Sequence, residues 1–245
     1  MILGVIDMTQ EITTLSRWLS ESERAVFFGG AGVSTESGIP DFRSTDGLYN
    51  QEYAYPPEVI LSHTFFERNT AEFYRFYQQK MLYLDAQPNA CHRKLAELER
   101  QGHLRSVITQ NIDGLHQAAG SKRVLELHGS VHRNYCKRCG KFYDAAYMRQ
   151  TAEVPRCSCG GVIKPDVVLY EEGLDSQTLY DSIRDISEAD LLIVGGTSLV
   201  VYPAAGLIDY YQGRRLVLVN MSATAADKRA DLIIREPIGK VFAQL

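Results

Sequence analysis

The sequence predicts an α/β protein, a doubly wound parallel sheet interrupted by a helical insertion and by a small insertion carrying four cysteines. Three observations predict it. Short apolar runs of strand length recur at residues 25–28, 106–109, 124–127, 166–170, 191–194 and 216–219. Helical patterns lie between most of them, and strands that alternate with helices pair in parallel. Loops after several of these strands carry Gly, Ser, Thr or Asn, so their polar groups open on one carboxyl edge, where such sheets bind ligands.

Taken in order, residues 9–20 place Ile12, Leu15 and Leu19 on one helical face, with Thr9 as the expected cap. The strand at 25–28 stops at Gly29-Gly30, and a loop of small and hydroxyl residues comes next: Ala31, Gly32, Ser34, Thr35, Ser37 and Gly38. Gly30 and Gly32 permit a tight turn and close approach to an anion, and the next residues are expected to open a helix whose positive end faces it. The stretch reads as a nucleotide pyrophosphate site. The glycines alone are a weak signal, since the third glycine of the dehydrogenase fingerprint is absent. The tail Pro40-Asp41-Phe42-Arg43 adds an acid, an aromatic ring and a guanidinium that phosphate binding alone does not need.

Residues 49–62 read as irregular and aromatic, with Pro56-Pro57 breaking any helix. Over 65–84, Phe66, Phe73, Tyr77, Met81 and Leu84 recur at helical steps and form the core face of a helical insertion. Another helix is predicted over 91–101, with Leu95 and Leu98 on one face and Gly102 ending it. The strand at 106–109 breaks at Gln110-Asn111-Ile112-Asp113-Gly114, and the run at 124–127 ends in His128-Gly129. Beyond Pro165, strand patterns return at 166–170, at 191–194 running into Gly195-Gly196-Thr197-Ser198, and at 216–219 running into Asn220. Helices are predicted near 176–187 and 204–211.

The cysteines have a spacing of their own. Cys136-Lys137-Arg138-Cys139 and Cys157-Ser158-Cys159 bracket 17 residues, each pair followed by glycine, which matches a four-thiolate zinc ribbon with one residue fewer in the second pair. Four thiolates fill a tetrahedral ion, so one structural Zn2+ held by Cys136, Cys139, Cys157 and Cys159 is expected, with no open position for catalysis. Cys91 stands apart. In a reducing compartment this cysteine pattern argues for metal rather than disulfides.

Bulk properties bound the partners. The chain has 245 residues, 45% hydrophobic and 23% charged, with a net charge of -4. Nothing in that charge suggests a general nucleic-acid or anionic-membrane partner. No apolar run has bilayer-spanning length, and the first residues lack a signal peptide's basic lead, so a cytoplasmic protein is expected.

Several of these segments, in this order, carry a specific resemblance: Gly30 to Ser34 through Gly38 to Arg43, Thr109-Gln110-Asn111-Ile112-Asp113-Gly114-Leu115-His116, His128-Gly129, the cysteine pairs, Gly196-Thr197-Ser198-Leu199 and Asn220. The chain resembles the sirtuin family of NAD-dependent protein lysine deacylases. The resemblance implies a Rossmann-like NAD-binding domain from 1–44, 91–130 and 166–245, with a helical insertion at 45–90 and a zinc-ribbon insertion at 131–165. It implies an acyl-lysine protein or peptide as substrate, cleaved as nicotinamide leaves NAD and the acyl group passes to ADP-ribose.

The same resemblance implies roles. Breaking the nicotinamide–ribose bond builds positive charge on the sugar, so the site must orient the leaving group and exclude water. Asp113 is expected to accept from the nicotinamide amide, Ile112 to pack on its ring, Phe42 to act as an apolar lid, Asn111 to bond ribose hydroxyls, and Asp41 and Arg43 to orient lid and phosphates. His128 is the expected general base, taking a proton from the ribose hydroxyl that attacks the acyl-imidate carbon. His116 is expected to be structural, a polar partner inside its own loop. Ala31, Thr35, Gln110, Thr197, Ser198 and Asn220 suit the phosphates and adenosine, with Ile238 over the adenine. Val167, Val168 and Tyr170, with Leu199 and Val200 opposite, are expected to pair with substrate backbone.

Family members that prefer acidic acyl groups carry Tyr-x-x-Arg after the lid. Here Tyr49 is followed three residues on by Glu52, and Tyr53 by Pro56, so neutral acyl groups, acetyl first, are expected. The same NAD site leaves protein ADP-ribosylation and the removal of longer neutral acyl groups open as alternatives. A nicotinamide dehydrogenase would need an acid ending a second strand about 20 residues past the glycines, and an irregular loop stands there. A zinc-ribbon module that binds nucleic acid is opposed by the net charge.

Overall fold

The apolar run after Arg24 becomes β1 (Ala25–Gly29), every residue of it buried, and it lies at the centre of the main sheet. The structure is a computed structural model and describes residues 8–42, 47–48, 55–151 and 153–245. Along the chain come β2 (Leu104–Thr109), β3 (Val124–Glu126), β4 (Gly129–Cys136), β5 (Phe142–Tyr143), β6 (Ile163–Val167), β7 (Leu191–Gly195), β8 (Leu216–Val219) and β9 (Leu232–Ile234). Six of these make a sheet of order β3-β2-β1-β7-β8-β9 whose neighbours all pair in parallel. The order reverses between β1 and β7, which is the switch point of a doubly wound sheet.

Alternate residues of the central strands feed two cores. Ala25 and Phe27 face Ile12, Leu15 and Leu19 of α1 (Met8–Glu21), with Cys91, Leu95 and Leu98 of the later helix over Ala90–Arg100. Val26 and Phe28 face the opposite side, toward Ile186 and the 3₁₀ segment Ala204–Tyr210. Helix α1 already begins at Met8, so Thr9 lies inside it rather than before it. The predicted helix near 204–211 is a 3₁₀ run, and β9 and the closing helix over Ile238–Phe242 were too short to stand out in the sequence.

The helical insertion differs from its prediction in two ways. Pro57 starts α2 (Pro57–Ile60) instead of excluding a helix, because proline is tolerated at a first helical position. The long stripe is cut at Asn69 into α3 (His63–Arg68), capped by Ser62, and α4 (Thr70–Lys80). Phe66, Phe73, Tyr74 and Tyr77 form an aromatic cluster, with Phe66 and Phe73 edge-to-face at 5.0 Å and Phe73 stacked on Tyr77 at 5.6 Å.

That cluster shares one core with the cysteine-bearing segment: Val131, Met148, Ile163 and Val167 pack into it with Cys136 and Cys157. The remaining helices are α5 (Ala90–Arg100), α6 (Leu115–Ala118), α7 (Ala145–Gln150), α8 (Ser176–Ser187) and α9 (Ile238–Phe242). The strand expected over 166–170 in the main sheet is not there. Its first residues end β6, which pairs antiparallel with β4 in the small sheet β5-β4-β6, Ser130 opposite Asp166 and Gly129 opposite Val167. Arg133 fixes that register through Asp166 at 2.7 Å.

Cys136, Cys139, Cys157 and Cys159 converge with their sulfurs all within 4.8 Å of one another. Neighbouring sulfurs stand 3.5 Å (Cys136 to Cys159, Cys159 to Cys139) and 3.6 Å (Cys139 to Cys157) apart. Four sulfurs about 2.3 Å from a tetrahedral zinc lie about 3.8 Å from each other, so this donor set fits one Zn2+. The shorter Cys157-Ser158-Cys159 spacing does not prevent it. No helix among the described residues is long and apolar enough to cross a membrane.

Helix α5 begins in a capping box: Asn89 accepts from the Cys91 and His92 amides, and its own amide donates to His92 Nδ1 at 3.3 Å. The His92 ring lies 4.7 Å from that of His116, and His92 Nε2 and both His116 nitrogens are buried without a hydrogen-bond partner. His116 is therefore a structural residue held by packing, not by the polar partnership expected of it. Burial brings His92 down to about 4 and His116 well below 6.5.

Two outcomes are expected. Stripping the metal should open the shared core, seen as dye binding to exposed apolar surface and a lowered unfolding midpoint, with one zinc per chain in the untreated protein. Stability should also fall as the medium turns acid, because unfolded histidines regain a pKa near 6.5 and take up protons that the folded rings refuse. For His92 the slope is up to about 1.4 kcal/mol per pH unit between about pH 6.5 and 4, and His116 adds to the decline in the same direction. Urea midpoints over that range should decline, and His116→Phe should make the decline shallower.

Candidate active site

Two loops meet at the switch point. Gly32 N–H donates to Gly196 O at 2.8 Å and Gly30 N–H to Gly195 O at 3.3 Å. A Cβ on Gly30 would stand 2.8 Å from Thr197 Cβ, and one on Gly32 2.8 Å from Gly196 Cα. Both glycines are thus required by the approach of the β7 loop, before any anion is considered. From Gly30 onward the loop makes two short 3₁₀ turns, Ala31–Val33 around Gly32 and then Thr35–Ser37, not the helix expected.

Ser34 is the hub of the polar contacts between this loop and the one after β2. It is 1% exposed; its Oγ donates to Asp113 Oδ2 at 2.6 Å and accepts from Asn111 Nδ2 at 3.0 Å. Asp113 Oδ1 accepts from Leu115 N–H at 2.9 Å, which starts α6 and fixes the carboxylate. Burial raises the Asp113 pKa, against the lowering by these hydrogen bonds. Gly114 turns the chain at φ 72, in a space where a Cβ would meet the ring of His132 at 2.7 Å, while His132 Nε2 bonds Asp113 O at 2.9 Å.

His128 sits just past β3. Its Nδ1 is 3.1 Å from Gln110 O, a contact that makes Nδ1 the donor and leaves the Nε2 lone pair free to accept. Burial lowers its pKa, so the ring is neutral near neutral pH. Gln110 continues the chain of contacts, donating from Nε2 to Thr197 Oγ1 at 3.1 Å. Asn220 Oδ1 accepts from Thr197 N–H at 3.0 Å, and its Nδ2 donates to Thr197 O at 2.9 Å. The ends of β2, β3, β7 and β8 and the loop after β1 are thereby joined along one edge.

Other predicted residues divide. Phe42 and Ile112 both pack against the shared aromatic core, partly buried. Ala31 is half-buried; Thr35 and Ser198 are exposed, with Thr35 Oγ1 on Gly32 O at 3.1 Å. Asp41 accepts the Leu48 amide on its main-chain oxygen at 2.9 Å. Ile238 is 4% exposed and its side chain lies in the core against Gly195, so it is not free to lie over an adenine as expected. Arg43, Tyr49, Glu52 and Tyr53 lie outside the described residues.

In the segment expected to meet substrate, Val168 N–H donates to His128 O at 3.0 Å, and Tyr170 uses both main-chain groups on Leu61 and His63. Internal bonds thus consume part of the expected pairing edge. Two residues the sequence did not single out hold this loop. Glu171, at φ 76, accepts the Thr64 amide at 2.8 Å, and Glu172 joins His63 at 2.9 Å and Lys164 at 3.1 Å. Leu199 is also left-handed, at φ 54, and buried, beside an exposed Val200. Such backbone in residues with side chains is costly and clusters at functional loops. Ser34 was likewise missed as a site residue, although its hydroxyl in a glycine loop was a signal for it.

Known proteins can be set beside this geometry. A model of the Sir2 family matches residues 30–203. A protein named NAD-dependent protein deacetylase from Clostridium acetobutylicum is 59% identical over 239 residues, covering 96% of this chain and 98% of that one. One from Staphylococcus aureus (strain MW2) is 42% identical over 240 residues, covering 97% and 99%. A solved structure described as Sir2-p53 peptide-NAD+ superposes with a TM-score of 0.83 at 41% identity, covering 94% of this chain and 95% of that chain. Matched over most of its length by family model, relatives and solved structures alike, this chain belongs to the Sir2 family, the sirtuins.

Proposed function

We propose that this protein is an NAD-dependent protein lysine deacetylase, releasing nicotinamide and transferring the acyl group from lysine to ADP-ribose. The observation that carries the reading is the connected polar edge at the switch point, where Asn111, Asp113 and His128 are held by one set of loops. Relatives bearing that activity in their names, and a Sir2 structure described as bound to acetylated peptide, support it.

Each group has a task suited to its setting. Asp113, fixed by Ser34 and Leu115 N–H, presents a carboxylate to the nicotinamide amide, and Ile112 packs on the ring. Asn111 orients ribose hydroxyls. Phe42 covers the reacting centre and keeps water out while positive charge develops on the sugar. Asp41 and Arg43 orient lid and phosphates. The acyl oxygen supplies the nucleophile, so the protein needs none. His128 Nε2, neutral and aimed by Gln110 O, takes the proton from the ribose hydroxyl.

Ala31, Thr35, Gln110, Thr197, Ser198, Asn220 and the main chain at Ile238 hold phosphates and adenosine. Val167, Val168, Tyr170, Leu199 and Val200 flank the acyl-lysine peptide, the unpaired main-chain groups of this pair of segments giving affinity with little sequence preference. Residues 1–44, 91–130 and 166–245 form the NAD-binding unit, with insertions at 45–90 and 131–165. Zinc held by the four cysteines supports the ribbon and takes no part in the chemistry. The thiolate set suits a reducing compartment, and we assign the protein to the cytoplasm.

Mixed with NAD and an acetyl-lysine peptide, the protein should release nicotinamide and deacetylated peptide in step, faster than with a succinyl-lysine peptide. ADP-ribose appearing on an acceptor protein without deacylation would instead favour transfer. His128→Ala should lower deacylation at least about a hundredfold, the size of a lost general base, with NAD affinity nearly unchanged.

A further inference from the structure

The loop that carries Ser34 has only two short 3₁₀ turns of its own to hold its shape, yet Ser34 must place both Asp113 and Asn111. The start of α9 holds one side of it, Gly239 N–H donating to Glu36, and the N-cap of α5 grips the backbone on either side of Ser34 itself. Asn89 is 8% exposed, and its Nδ2 donates to Val33 O at 2.7 Å and to Ser37 Oγ at 3.0 Å, the two residues that bracket Ser34. Its Oδ1 accepts the Cys91 and His92 amides at 3.0 and 3.4 Å. The amide side chain is therefore used in full, with two donors toward the loop and the acceptor toward the helix.

The same helical turn reaches the second loop. His92 completes the capping box through Nδ1, and its ring lies 4.7 Å from that of His116. His116 stands in α6, whose first amide, Leu115 N–H, is bonded to Asp113 Oδ1 at 2.9 Å. One helix start thus touches the Ser34 loop through Asn89 and the Asp113 loop through His92. Moving it would shift the Ser34 hydroxyl against the carboxylate it bonds at 2.6 Å.

We propose that Asn89 is a positioning residue for NAD use: through Val33 O and Ser37 Oγ it sets the Ser34 loop against Asp113 and Asn111, in addition to capping α5. The inference rests on the reading of Asn111 and Asp113 as residues of the nicotinamide and ribose end. No other side chain of similar size does both jobs. Aspartate keeps the cap acceptor and has no donor for Val33 O, serine caps and is too short, and alanine loses both.

The test separates cap from clamp. Asn89→Asp should unfold within about 3 °C of the parent, since the cap acceptor remains. Its amides from 34 to 39 should nonetheless exchange with solvent about tenfold faster, and its KM for NAD should rise about tenfold with KM for the acetyl-peptide unchanged. Ser37→Ala, which leaves the cap whole, should shift both readouts in the same direction by less. Parent-like exchange and parent-like KM for NAD in both variants would overturn the proposal, as would a loss of stability in Asn89→Asp with unaltered kinetics per folded molecule. If the parent itself neither bound nor consumed NAD, the functional reading would fail while the exchange rates still decided the clamp.

Discussion

The interaction on which the rest of the structure depends is the contact between two backbone loops at the switch point, where Gly30 and Gly32 lie against Gly196 and Thr197. No side chain fits between them, so the ends of β1 and β7 are held at a fixed separation. Ser34 comes directly after, and Thr197 extends the contact to Gln110 and Asn220. A site assembled from five separate stretches of chain needs such a reference point, since a shift of about 1 Å in a catalytic group is costly.

Electrostatics around that point favour groups held neutral or fixed. Burial lowers the His128 pKa, and the Gln110 carbonyl decides which nitrogen of the neutral ring carries the proton. Asp113 sits where burial opposes its charge, and it is steadied by donors from Ser34 and Leu115. A carboxylate poorly served by water and preoriented by protein dipoles interacts more strongly with a ligand amide than one on the surface.

Much of this was legible in the sequence. Strands β1, β7 and β8 announce themselves because both their faces are buried, so apolar residues run without interruption. The cysteine spacing pointed to the ribbon, and the ordered set of polar loops pointed to the site. What escaped has physical reasons. Residues 166–170 look like a buried strand, but Val167 and Leu169 face the insertion core, and periodicity does not say which core a strand serves. The stripe at 65–84 keeps helical phase across Asn69, so the break was invisible. Asn89 gave no signal of its own in the sequence, because its donors act on a loop 52 and 56 positions away. His116 is a buried ring packed on His92, which its polar neighbours in sequence did not suggest.

The two insertions are far apart in the chain, yet Phe66, Phe73, Tyr74 and Tyr77 from one share their packing with Val131, Met148 and Ile163 from the other. Neither is a self-sufficient module. Excising the ribbon to graft it elsewhere, or trimming the helices to make a minimal enzyme, would leave a broad aromatic surface facing water, and such surfaces self-associate. For anyone re-engineering this scaffold the smallest transferable part is the pair, exchanged together, because the segment with the four cysteines and the helices beside it close one core between them.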